Sequence, residues 1–261
     1  MAKRVGLFLH LSPTKCKFAV SKEYAGRFAQ KTNKVQYDKI MTKPDRQLAE
    51  KLLKISAIKL QPDIPFVWGS GWNSTIYNDN RRILSYPDVR NYVKVEIAKN
   101  IIEHFGNADV IASVSTASIP LGALVADTLG LPFIFVRETP KDHGLENLIE
   151  GNLKPGQKVA MIEDVISTAG GTLRATEVIN NAGGEVLGGV AVFHYEFPMA
   201  VKRLNDTNVD MIALCTYNSM VEAAVDMKYI EPGDVETLKA WRKDPANWVP
   251  DTDNFSKLTN L

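Results

Sequence analysis

Only two cysteines, Cys16 and Cys215, occur in 261 residues, too few and too scattered for a disulfide framework or a clustered zinc site. A reducing, cytoplasmic setting is therefore expected. Long hydrophobic runs are missing as well. The longest uncharged stretch, Val110 to Ala126, is interrupted by Ser113, Ser115, Thr116, Ser118 and Pro120, so no membrane span is expected. Neither Gly-Lys-Ser/Thr nor Gly-x-Gly-x-x-Gly is present, which excludes the two commonest nucleotide loops. Excess charge of one sign is absent too, with 31 Lys/Arg against 30 Asp/Glu. At 45% hydrophobic and 23% charged residues, the composition fits a chain that buries a full core. It excludes wholesale disorder, collagen-like repeats and coiled coil.

The balanced total conceals an asymmetry. Residues 1–46 hold eleven Lys/Arg against three Asp/Glu, whereas the remainder holds twenty against twenty-seven. Residues 1–45 read as a basic N-terminal extension outside the fold, and residues 46–261 as one domain; a transit peptide is the next reading of the head. A nucleic-acid arm is the electrostatic alternative, but the body has no basic stripe, and a nucleic-acid partner is not expected.

From Asp88 onward the pattern becomes regular. Val89, Val93, Ile97 and Ile101 recur every four residues, Tyr92, Ile102 and Phe105 widen the stripe, and Gly106 marks the helix end. Apolar strands are expected at 110–114, 131–136, 158–162, 186–194 and 209–216. Helices are expected through Leu121–Leu129, over 172–181, and from a cap at Asp234 toward Trp241. Leu48, Leu52, Leu53 and Ile55 suggest a further helix before them, and residues 65–77 a hairpin around Ser70–Asn73. Continuous apolar strands alternating with helices predict an α/β fold: a doubly wound, mainly parallel sheet with a small N-terminal hairpin or hood and C-terminal helices. Ligands then belong at the carboxyl ends of its strands.

The chemistry concentrates in one segment, Glu163-Asp164-Val165-Ile166-Ser167-Thr168-Ala169-Gly170-Gly171-Thr172. Small and hydroxyl-bearing residues that open a helix let backbone N–H groups converge on a phosphate. Two acids beside a phosphate repel it unless they serve hydroxyls or a cation, and a ribose diol with Mg²⁺ meets that condition. The plainer reading is an acid pair that caps a helix, followed by a glycine turn.

This segment resembles the phosphoribosyl-diphosphate loop of type I phosphoribosyltransferases. Two more segments narrow the likeness: Arg137-Glu138-Thr139-Pro140-Lys141-Asp142-His143-Gly144, and Ser70-Gly71-Trp72-Asn73-Ser74-Thr75-Ile76-Tyr77-Asn78-Asp79-Asn80-Arg81. They resemble the mobile catalytic loop and the base-binding segment of orotate phosphoribosyltransferases, in that family's order. The resemblance implies transfer of 5-phosphoribose from its 1-diphosphate to orotate, with Mg²⁺ as cofactor carried mainly by the diphosphate and no direct protein ligand. It implies Lys141, His143 and Asp164 as catalytic residues. Contacts to the phosphoribosyl diphosphate fall to Arg137, Lys141, His143, Glu163, Asp164, Val165, Ile166, Ser167, Thr168, Ala169, Gly170 and Gly171. Contacts to orotate fall to Ser167, Tyr77 and Asn78. A homodimer is implied, with segment 137–151 shared between subunits.

The chain departs from that family's usual pattern at Gly69, Ala117, Glu138 and Ala169. It also carries His194-Tyr195 where an arginine often contacts the base. A regulator that only binds phosphoribosyl diphosphate, a weakened paralogue and a transferase for another base stand as alternatives.

Overall fold

The four-residue spacing after Asp88 does form a helix. In the computed structural model, which describes residues 44–139 and 148–250, α2 spans Pro87–His104 and buries Val89, Val93, Ile97 and Ile101. Its stripe is narrower than the sequence suggests, for Ile102 is 62% exposed. Gly106 is needed for space rather than for a left-handed turn. A Cβ there would lie 2.6 Å from the Ile102 carbonyl oxygen, and Phe105 is the capping residue.

Ahead of it come α1 (Pro44–Lys54), β1 (Ile58–Leu60), β2 (Phe66–Val67), β3 (Asn73–Ser74), β4 (Ile76–Asn78) and a 3₁₀ turn over Asn80–Ser85. β2 and β3 form the expected hairpin, and β1 pairs antiparallel with β4. Together they make a hood. The extension read at residues 1–45 lies outside the described residues up to Lys43.

The remaining elements are β5 (Val110–Val114), α3 (Ile119–Leu129), β6 (Phe133–Val136), β7 (Ile149–Glu150), β8 (Lys158–Ile166), α4 (Gly170–Asn181), β9 (Glu185–His194), α5 (Pro198–Asp206), β10 (Met211–Thr216), α6 (Tyr217–Asp226) and α7 (Asp234–Lys243). One six-stranded sheet runs β10-β9-β8-β5-β6-β7, all neighbours parallel except β7 against β6. From β5 the chain winds outward to β6, then returns to β8 on the other side and continues to β9 and β10. Right-handed crossovers in opposite directions put helices on both faces, and the strand order reverses between β5 and β8.

Two local expectations are corrected. β8 extends four residues past Ile162 because β9 continues beside it, pairing Glu163 with Ala191 and Ile166 with His194. The acid pair thus lies within the strand, not after its tip. Asp234 does not cap α7; Gly233 occupies the cap, and Asp234 Oδ2 accepts a hydrogen bond from the Glu231 N–H at 2.9 Å. Gly122 allows α3 to close on β5, since a Cβ there would fall 2.0 Å from Ser113 Oγ. No helix among the described residues is long and apolar enough to cross a membrane.

Candidate active site

At the reversal of strand order, the ends of β5, β6 and β8 and the first turn of α4 enclose a cavity of about 240 Å³. Glu163, Asp164, Val165, Ile166, Ser167, Thr168, Ala169, Gly170 and Gly171 all line it, with Arg137 and Glu138 at one side. Ile166 contributes backbone only, its side chain being 1% exposed in the core.

The two acids are not equivalent. Glu163 is 6% exposed; its carboxyl accepts from Thr172 Oγ1 and from the Asp164 N–H, both at 3.2 Å. Burial, then the Asp164 charge beside it, pushes the Glu163 carboxyl well above the usual carboxylate range. Burial also raises Asp164, but hydrogen bonds from Glu163 and the nearby Arg81 charge pull the other way. Of the two, Glu163 is therefore the more disposed to hold a proton and Asp164 the more disposed to carry charge. The Asp164 carbonyl is held by Asn80 Nδ2 at 2.7 Å, an 84-residue link from hood to sheet.

The turn into α4 is held in a defined conformation. Thr168 is anchored by Arg203 Nη1 on its carbonyl at 3.0 Å, and Ala169 adopts φ 63°, ψ 7° before the helix begins. The left-handed conformation costs a residue bearing a Cβ about 1–2 kcal/mol. Ala169→Gly is accordingly expected to stabilise the protein by about 1 kcal/mol, read as a higher urea midpoint with unchanged slope. An unchanged midpoint would show that the turn relaxes around the methyl group.

Arg137, which lines the cavity, donates through its backbone N–H to the Leu148 carbonyl at 2.8 Å. Arg137 Nη1 lies 3.3 Å from Glu150 Oε1. Arg174, which the sequence did not single out, donates to the Arg137 carbonyl at 3.1 Å and adds a second cation to the rim. Lys141 and His143 lie outside the described residues.

A second cavity, of about 500 Å³, lies on the hood side and shares Ser115, Glu138 and Asp164 with the first. Asn78, Asp79, Asn80, Arg81 and Ala117 also line it. Both side-chain polar atoms of Asn78, and Asn80 Oδ1, are buried without a hydrogen-bond partner among the described residues. Tyr77 is 41% exposed and lines neither cavity. It alternates with Asn78 along β4, and its ring sits 5.6 Å from that of Phe66. Ser167 reaches the first cavity but not the second. Asn80 and Arg81 were legible only as members of a polar run, with nothing local to set them apart.

Residues 93–231 match the model of the phosphoribosyl transferase domain. A Bacteroides thetaiotaomicron protein named orotate phosphoribosyltransferase is 55% identical over 204 residues, 78% of this chain and 96% of that protein. Among solved structures, orotate phosphoribosyltransferase from Aeropyrum pernix superposes with a TM-score of 0.62 at 23% identity, covering 70% of this chain and 99% of that one. Leishmania donovani UMP synthase gives 0.65 at 26% identity over 76% of this chain, which spans 42% of that longer protein. A type I phosphoribosyltransferase sheet, with an acidic strand running into a phosphate-sized turn, thus coincides with this degree of identity across nearly the whole of a named relative, and the chain belongs to the orotate phosphoribosyltransferase family.

Proposed function

We propose that the protein transfers 5-phosphoribose from 5-phosphoribosyl 1-diphosphate to N1 of orotate, releasing diphosphate and orotidine 5′-phosphate for pyrimidine nucleotide synthesis. The observation that carries this reading is Asp164, which lines two adjoining cavities, one opening on the turn into α4 and one on the hood. A sugar whose hydroxyls rest on Asp164 presents its reacting carbon to the junction between them.

The chemistry needs little beyond positioning and electrostatics. The reacting carbon gains positive character while negative charge builds on the departing diphosphate. The Asp164 carboxylate accepts from ribose hydroxyls and favours the positive sugar. Glu163 orients Asp164 through the 3.2 Å bond from the Asp164 N–H. Residues 167–171 receive the 5′-phosphate on N–H groups at the start of α4. By the family resemblance, Arg137, Lys141 and His143 serve the diphosphate, and His143 is suited to deliver a proton to it. Enclosing the site keeps water from a carbon that it would otherwise hydrolyse.

No three His, Cys, Asp or Glu side chains converge as a metal cage among the described residues. Asp164, in a cavity suited to phosphate and hydroxyls, fits a Mg²⁺ that draws most of its oxygens from the diphosphate. Bound there, the ion would neutralise the leaving group's charge. The same reading includes a cytoplasmic homodimer sharing segment 137–151 between subunits, with residues 1–45 outside the transferase domain.

The test is the fall in orotate absorbance on mixing protein, phosphoribosyl diphosphate and Mg²⁺, with uracil and hypoxanthine offered in parallel. Turnover of orotate that requires both additions is expected. Consumption of another base with orotate untouched would overturn the assignment.

A further inference from the structure

The second cavity carries more information than its position. Arg81 is the only cation lining it among the described residues, because the neighbouring Arg82 turns away and donates through Nε to the Ile55 carbonyl at 3.0 Å. Arg81 is held from behind: its Nε donates to Asp79 Oδ1 at 2.6 Å, and the Asp79 N–H is tied to the Ala57 carbonyl at 2.7 Å. That arrangement occupies Nε. The two terminal guanidinium nitrogens have no hydrogen-bond partner among the described residues. They form a planar pair of donors that matches the two oxygens of a carboxylate.

Resting on the proposed reaction, we infer that Arg81 is a specificity-determining residue: its free guanidinium edge selects a base bearing a carboxylate next to the reacting nitrogen. The chemistry of the base places the demand close by. In a pyrimidine whose carboxylate is on the carbon adjacent to the nucleophilic nitrogen, that carboxylate lies within a few ångströms of the sugar carbon. Arg81 meets the requirement, since it and Asp164 line the same cavity. Asn78 supplies the complementary half. Its buried, unpartnered amide places a donor and an acceptor side by side, which suits the alternating C=O and N–H groups of an imide edge. Uracil shares that edge, so Asn78 does not distinguish the two bases. Arg81 does.

The electrostatics sharpen the argument. The other charged groups lining the cavity are Asp79, Glu138 and Asp164, all acidic. Without Arg81, the charged groups that an anionic base would face among the described residues are carboxylates alone; with it, Asp79 is neutralised and one fork of donors is left for the ligand. Among the described residues that one cation is thus decisive for an anionic base and of little consequence for a neutral one.

The test compares full-length protein with Arg81→Gln and Arg81→Lys in steady-state transfer, varying orotate and phosphoribosyl diphosphate separately. The Arg81 side chain is 65% exposed, so both variants are expected to melt with the parent. Arg81→Gln should raise the KM for orotate about 10- to 100-fold, the range for losing a charged hydrogen-bond pair. The KM for phosphoribosyl diphosphate should move less than about twofold. Arg81→Lys, a point charge without the fork, should recover part of the loss. If the KM for phosphoribosyl diphosphate rises instead, Arg81 serves the diphosphate and the inference fails; it fails equally if neither constant moves. Absence of orotate turnover in the parent protein would take down the transferase reading and this inference together.

Discussion

Replacing Asp164 with asparagine is expected to lower kcat/KM for phosphoribosyl transfer by about 100- to 1,000-fold while leaving the protein folded. Asp164 is the less buried member of the acid pair and the one more disposed to carry charge. Asparagine keeps its size and some of its hydrogen-bonding capacity but removes the negative charge that favours a positive sugar. The fold should not suffer. Asp164 is fixed through its main chain, by the β8–β9 ladder and by Asn80 on its carbonyl. Burial also raises its carboxyl above the usual range. A carboxyl raised in the folded state contributes its stability below the unfolded pKa and loses it as pH rises through the folded one. At neutral pH the charge is therefore a cost to folding, and the amide does not lower the melting temperature.

Glu163→Gln provides the contrast, because glutamine resembles the protonated form that burial favours at that position. A loss of less than about tenfold is expected there, since no charge is removed from the reacting sugar. Steady-state kinetics on the two variants, with melting curves as the control for folding, decides the matter. Equal losses would mean that both acids bear charge against the sugar. A small loss for Asp164→Asn would remove the carboxylate from the mechanism.

This division of labour illustrates which features local sequence could carry. The apolar runs at 110–114 and 186–194 are strands with ends at or within one residue of the expected ones, because four or more consecutive buried residues leave few other readings. The acids and the small-residue turn were legible for a similar reason, as types that rarely adjoin without chemical cause. What escaped depends on distant partners. The extension of β8 to Ile166 comes from β9, so the acids' place inside the strand was invisible locally. Asn80 acquires its role from a carbonyl 84 residues away. Ile102 extends the stripe of α2 on paper, yet the neighbouring elements cover only the narrower face. The cost of Ala169 lies in its backbone, at φ 63°, which the residue type alone does not disclose.

The longest of these connections governs the hood. Trp241→Ala is expected to destabilise the protein by about 3–5 kcal/mol, read as a lower urea midpoint. Trp241 is fully buried, with ring centroids of Phe197, Tyr217, Trp68 and Tyr195 at 5.5, 5.6, 5.7 and 6.0 Å. Its Nε1–H donates to the Asn73 carbonyl at 2.8 Å across 168 residues. Truncation leaves a cavity among rings that cannot collapse together, and a carbonyl without its donor. Asn73 opens β3, and the chain runs from there through Ser74 and Ile76 to Asn78 at the second cavity. Loosening this anchor should therefore impair base binding before it affects the phosphate turn, which is built on α4 and β8. In conditions where the variant remains folded, the KM for orotate should rise more than the KM for phosphoribosyl diphosphate. Trp241→Phe, which retains most of the ring contacts and loses only the N–H, is expected to cost about 1–3 kcal/mol and to shift the same constant in the same direction. A Trp241→Ala protein that melts with the parent would show that α7 does not seat the hood. One that weakens both constants equally would show that the hood and the phosphate turn move as one body.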